Sequence, residues 1–228
     1  MPAQVDEAET SPVSVAVAGV RNFRDAGGAG ALRRGVLYRS GALHELLPSG
    51  AQALERLGVR TVVDLRSVPE LAERPDVRDG LGFRHVRAPV FAERSWPNDQ
   101  LELYPFMAEH AGRSVVAVIR CLLAPGPPVL VHCASGKDRT GVVVAVLQTL
   151  LGASEAEVAA DFLRSNAELG LTANRASSTA GHGTLPVTAT LIHRAMLWIR
   201  SIHGSVSAYL MEHGAEESEL TALRMRVA

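Results

Sequence analysis

Lysine is nearly missing from this chain. Of its 23 Lys plus Arg residues only position 137 is lysine, so a generic positive charge is written here as arginine and Lys137 stands apart. Cysteine is scarce as well. Two in 228 residues exclude a disulfide framework and a thiolate zinc cluster, and both are expected to be reduced. No HxxxH or HxH pair occurs among the eight histidines, so neither a metal nor any other cofactor is expected. Aromatic residues are 4% of the chain, which leaves few to wall a deep aryl slot. Neither sign of charge predominates: a net charge of -1 gives no field to draw in nucleic acid or an anionic membrane, so any anion site must be local. The longest apolar stretch, GVVVAVLQTLL (141–151), is too short to span a bilayer and carries Gln148. Stable membrane insertion is therefore not expected. The start, MPAQVDEAETSP, has no basic region and no apolar signal segment; it reads as a disordered leader over 1–12 of a cytoplasmic protein, with export lacking a signal peptide as the alternative.

What is present is an ordinary globular composition, 47% hydrophobic and 21% charged, in a chain long enough to bury a substantial core. VSVAVAGVRNF suggests a first strand, hairpin-paired with GVLYRS (35–40). Pro48-Ser49 opens a short helix closed by Gly58. RTVVDL (60–65) and GFRHVRAPV (82–90) read as strands, 100–124 as a helix, and VLVHC (129–133) as a fully apolar, central strand. A buried helix follows over 141–151, then one over 154–166 that opens with Ser154 and Glu157 as a capping box. The Gly/Ser/Thr-rich segment 173–186 resists assignment, and three helices at about 188–202, 205–213 and 216–226 finish the chain. Strands alternating with helices predict one α/β domain over 13–228, with a largely parallel central sheet flanked by helices and a helical C-terminal third.

VHCASGKDRTG (131–141) sits where the central strand runs into a buried helix, at the carboxyl edge where open α/β sheets bind ligands. The helix N-terminus favours anions there. The dipole and a nearby guanidinium stabilise a thiolate at Cys133, and the planar fork of Arg139 can hold two phosphate oxygens. Ala134, Ser135 and Gly136 are small enough for the backbone to curl into a nest of N–H groups. Thr140 can donate to the cysteine sulfur, and Asp138 could protonate a departing oxygen. A Walker loop is excluded, because position 138 is Asp and position 131 is Val.

HCASGKDRTG matches the HCxxGxxRTG signature of cysteine-dependent tyrosine and dual-specificity phosphatases. With NFRDAGG (22–28), GVLYRSGAL (35–43), LGVRTVVDLRSVPE (57–70) and ADFLRSN (160–166), the chain resembles the atypical bacterial tyrosine/lipid phosphatases from about residue 19 onward. The resemblance implies a tyrosine-phosphatase-like fold and a metal-free, two-step reaction through a cysteinyl-phosphate. Cys133 is then the nucleophile and Arg139 the phosphate clamp. Asp138 is implied as general acid; its rival is Asp99 in SWPND (95–99), which imitates the mobile Trp-Pro-Asp loop of conventional tyrosine phosphatases. Asp64 and Arg66 either line the same pocket or form a salt-bridged pair that positions the loop. Arg24 and Asp25 are implied as supports, and 173–186 stands where related enzymes carry a lid. Lys137 is expected at the pocket rim as a second cation. Substrates in reach are a phosphotyrosine protein, a phosphoinositide or a small phosphorylated metabolite. The competing functions are a pseudophosphatase that binds phosphorylated partners without turnover, and a rhodanese-like sulfurtransferase.

Overall fold

The computed structural model describes residues 16–78, 80–93, 95–126, 128–172 and 184–227. Its strands are β1 (Arg24–Asp25), β2 (Leu37–Ser40), β3 (Thr61–Asp64), β4 (Arg84–Arg87) and β5 (Val129–His132). They form one sheet in the order β1-β2-β5-β3-β4. β2, β5, β3 and β4 run parallel, and β1 adds an antiparallel edge. β5 is central, as its unbroken apolar run requires, because both of its faces are covered.

Successive side chains of a strand point to opposite faces, which divides the core in two. Val62 and Leu130 face α1 (Pro48–Arg56), packing with Leu54 and Tyr38. Val63, Val129 and Val131 face the other way, towards α3 (Gln100–Leu123) and α4 (Asp138–Leu150). α2 (Val68–Glu73) is a short helix after β3. α5 (Glu155–Glu168) opens on the anticipated capping box of Ser154 and Glu157. α6 (Ala189–His203), α7 (Val206–Glu212) and α8 (Glu217–Val227) complete the helical side. α4 is buried nearly all round, and Gln148 in its last turns donates to Ala26 O at 3.0 Å.

One expected element is replaced. The described part of VSVAVAGVRNF, residues 16–23, forms turns, and the strand is confined to Arg24–Asp25. Gly19 has φ +80°, and a Cβ there would lie 1.9 Å from the Glu45 carbonyl oxygen. The segment thus wedges against 45–47 instead of extending along the sheet, with Leu47 N bonded to Ala18 O at 3.2 Å. Among the described residues no helix is long and apolar enough to cross a membrane. The leader expected over 1–12 and most of the 173–186 lid lie outside the described residues.

Candidate active site

Strand β5 ends at His132, and α4 starts at Asp138, so Cys133 to Lys137 form the turn between them at the sheet's carboxyl edge. Three successive carbonyls of this turn are held from outside. Ala42 N donates to Ala134 O at 3.1 Å, Asn22 Nδ2 to Ser135 O at 3.1 Å, and Arg39 Nη2 to Gly136 O at 3.0 Å. In a planar trans peptide the following N–H points opposite to the C=O. The amides of Ser135, Gly136 and Lys137 therefore turn away from the frame, as an anion nest needs. Gly136 has φ +70°, and a Cβ would fall 2.3 Å from the Ser40 carbonyl carbon, so the loop tolerates only glycine at this point.

The frame is itself braced by charge. Arg39 is fully buried and pairs with Asp161 of α5 at 2.5 Å, and Arg24 pairs with the same carboxylate at 3.0 Å. Burial, then the neighbouring Arg39, push the Arg24 pKa down, and Asp161 offsets part of that. Asn22 takes φ +57°, outside the usual range for a residue with a Cβ, to aim its amide at the loop.

Above the loop lies a cavity of about 440 Å³, whose lining includes Ala134, Ser135, Asp138 and Arg139. Phe91, Trp96, Leu103 and Met107 form an apolar wall. Arg21, His44 and Arg74 bring further cationic or basic groups to the same cavity. The scarcity of aromatics therefore does not strip the pocket. Phe91 stacks on Trp96 at 5.4 Å, and Trp96 covers the Arg139 guanidinium 5.4 Å from its ring centre. Cys133 is 1% exposed and does not itself line the cavity, although the two residues that follow it do.

Arg139 is fixed by a partner that the sequence reading passed over. Its two terminal nitrogens each donate to one Glu70 oxygen at 2.6 Å. Glu70 is the last residue of Ser67-Val-Pro-Glu70 and also accepts from Ser67 N and Oγ, so the S-x-x-E capping box was the available signal. Burial would raise the Glu70 pKa, but Arg139 and Ser67 outweigh it and bring it down to about 2. Burial likewise works against the charge on Arg139, yet bonds to Glu70 and the fields of Cys133, Glu70 and Asp138 leave its pKa raised.

Asp138 faces the cavity, while its Oδ1 accepts from Tyr104 Oη at 2.7 Å and from Lys137 Nζ at 2.8 Å. Lys137 is thus not at the rim: it is fully buried, its ammonium directed at Asp138. Thr140 is corrected too. Its Oγ1 is buried and makes no hydrogen bond among the described residues, to the Cys133 sulfur included. Asp99 is exposed and caps α3, accepting from Leu101 N at 2.7 Å, and it does not line the cavity. Asp64 and Arg66 form the salt-bridged pair, 2.7 Å apart and both buried, with only Arg66 reaching the cavity wall.

A third member, Asp76, lies 2.9 Å from Arg66 and 3.1 Å from His132 Nε2, and accepts from Leu43 N at 2.8 Å. Burial would raise its pKa, but His132 and Arg66 prevail and hold it at about 2. Asp64, Asp76 and His132 bring ligand-type atoms within 4.8 Å of one another. The Arg66 guanidinium occupies the cation position between the two carboxylates, so the trio reads as a brace rather than a metal site. Cys121 is buried beside Arg84 at the start of β4, and both cysteines are free thiols.

A mostly parallel sheet carrying this cysteine-to-arginine turn at its carboxyl edge defines a phosphatase of the tyrosine phosphatase family, and the chain belongs to that family, whose sequence model matches residues 15–228. It is 31% identical over 266 aligned residues to the triple specificity protein phosphatase PtpB of Mycobacterium tuberculosis, covering 91% of this chain and 96% of the relative. A Cupriavidus necator protein named as a tyrosine-protein phosphatase is 32% identical over 237 aligned residues, 90% of this chain and 85% of the relative. Among solved structures, P. aeruginosa TpbA in complex with pTyr is similar at a TM-score of 0.44 and 20% identity, over 89% of this chain and 100% of that one.

Proposed function

We propose that the protein hydrolyses phosphomonoesters in two steps, with Cys133 as nucleophile, Arg139 as phosphate clamp and Asp138 as general acid. The observation that carries the reading is the shared cavity: Asp138, Arg139, Ala134 and Ser135 line one space, and the buried Cys133 directly precedes Ala134 and lies within the electrostatic reach of Arg139. The substrate phosphate binds the turned-in amides of Ser135 to Lys137 and the side of the Arg139 guanidinium that Glu70 leaves open. The Cys133 thiolate attacks phosphorus. As the S–P bond forms, the P–O ester bond breaks, its electron pair passes to the leaving oxygen, and Asp138 supplies that oxygen with a proton. Water then attacks the cysteinyl-phosphate, the Asp138 carboxylate takes a proton from it, and the S–P electrons return to sulfur. Inorganic phosphate and the thiolate result, with no metal in the cycle.

The cavity favours a phosphate carried on a ring. Phe91 and Trp96 suit an aryl face, so phosphotyrosine is the first choice, while Arg21, His44 and Arg74 would attract additional negative charge on a phosphopeptide or an inositol headgroup. The test is turnover of p-nitrophenyl phosphate with EDTA present, wild type against Cys133→Ser. The variant should be inactive and the wild type indifferent to the chelator. A phosphate-binding protein without wild-type turnover would mark a pseudophosphatase, and thiosulfate-dependent persulfide formation a sulfurtransferase. A panel of phosphotyrosyl peptide, phosphoinositide and nucleoside monophosphate then ranks the substrates.

A further inference from the structure

Two side chains outside the cavity converge on the carboxyl group that the reaction needs. Tyr104, fully buried on α3, and Lys137, fully buried at the end of the loop, both donate to Asp138 Oδ1. Neither lines the cavity. The tyrosine ring is held edge-on against Phe162 of α5, ring centres 5.7 Å apart. Its neighbour Pro105 has no N–H for the Leu101 carbonyl, and Arg194 of α6 bonds that carbonyl instead at 2.9 Å.

We propose that Tyr104 and Lys137 are positioning residues that engage one oxygen of the Asp138 carboxyl, so that the other oxygen, Oδ2, carries the transferred proton to the leaving group. This rests on the reading of Asp138 as the acid. An ammonium has three donors and no acceptor, so it bonds far better to the carbonyl oxygen of a protonated carboxyl than to the oxygen that carries the proton. With Lys137 and Tyr104 both donating to Oδ1, the proton is favoured on Oδ2, the atom left for substrate. Tyr104 is a second fixed donor: burial first, and then the Asp138 charge, keep its phenol protonated. The same geometry accounts for the single lysine. A planar guanidinium fork is matched to two acceptors, and a fork engaging both Asp138 oxygens would take up the one left for substrate.

The readout is leaving-group dependence of kcat/KM, which a loss of fold or of phosphate binding would not move. Phenyl phosphate needs a proton on its departing oxygen, and 2,4-dinitrophenyl phosphate scarcely does. Tyr104→Phe and Lys137→Met should each lower kcat/KM for the phenyl ester roughly tenfold more than for the dinitrophenyl ester, the size of one hydrogen bond to a charged group. Asp138→Asn should show the same discrimination on a larger scale, on the order of 10²–10⁴. Adding Tyr104→Phe to Asp138→Asn should widen it no further. Equal losses on both esters for Tyr104→Phe and Lys137→Met, with Asp138→Asn still discriminating, would overturn the positioning role alone. Equal losses for Asp138→Asn would overturn the acid assignment and this role with it. Should Lys137→Met fail to fold, Tyr104→Phe by itself decides.

Discussion

Arg139 and Glu70 are both almost wholly buried, and two charges withdrawn from water are tolerable only while each keeps its partner. Removing one of them leaves the other charged, desolvated and unpaired. Glu70→Ala is therefore expected to cost about 3–5 kcal/mol of stability by urea denaturation. It should also raise KM for p-nitrophenyl phosphate, because the guanidinium loses its fixed orientation. Glu70→Gln retains an acceptor for Arg139 and should fall between the two. At this scale the grouping of Asp138 and Arg139 in one short loop after Cys133 was legible from residue type and spacing, and both do line one cavity. Thr140 was misplaced and Lys137 was put at the rim because spacing along a chain does not say which way a side chain turns. Glu70, Asp76, Tyr104 and Asp161 were passed over for a different reason. Each acts across a long sequence separation, and only the packing of α2, α3 and α5 against the loop brings them there.

Packing between elements explains the last glycine of the loop signature. A Cβ on Gly141 would lie 2.7 Å from the Phe162 ring, so α5 lies close on α4 at the level of the candidate site. Phe162 in turn supports Tyr104. Gly141→Ala should push α5 outward and destabilise by about 1–3 kcal/mol, as overpacking does. Combining it with Phe162→Leu should recover part of that loss. Strictly additive destabilisation in the double-mutant cycle, measured by chemical denaturation, would contradict the contact. Elements with a strong local signal were readable in advance: the central strand from its unbroken apolar run, α5 from its capping box, α1 from Pro48 and Gly58. The first strand was misread because alternating valines look alike whether they pair in a sheet or pack in a wedge. The choice is made by Gly19 and its contact with Glu45, twenty-six positions away in the chain.

For the whole molecule, the strand order puts the candidate site between the two halves of the sheet, and carboxylates tie those halves together. Asp76, beyond α2, joins Leu43 N, Arg66 after β3 and His132 at the end of β5, while Glu70 joins α2 to α4. Both carboxylates have folded-state pKa values of about 2, against about 4 for an unfolded Asp or Glu. A carboxylate more acidic in the folded state stabilises it fully above the unfolded value, and that contribution is lost as pH falls towards the folded one. Urea midpoints should therefore hold steady, as far as these two groups govern them, down to about pH 5, and drop between about pH 4 and about pH 2. Asp76→Asn and Glu70→Gln should each be less stable than the wild type at neutral pH but lose less on acidification, so their curves approach the wild-type curve near pH 2 to 3. Curves that stay parallel to the wild type through that window would mean that these carboxylates do not link the sheet to the loop in the folded state. The acid sensitivity would then have to come from other groups, Asp161 among them.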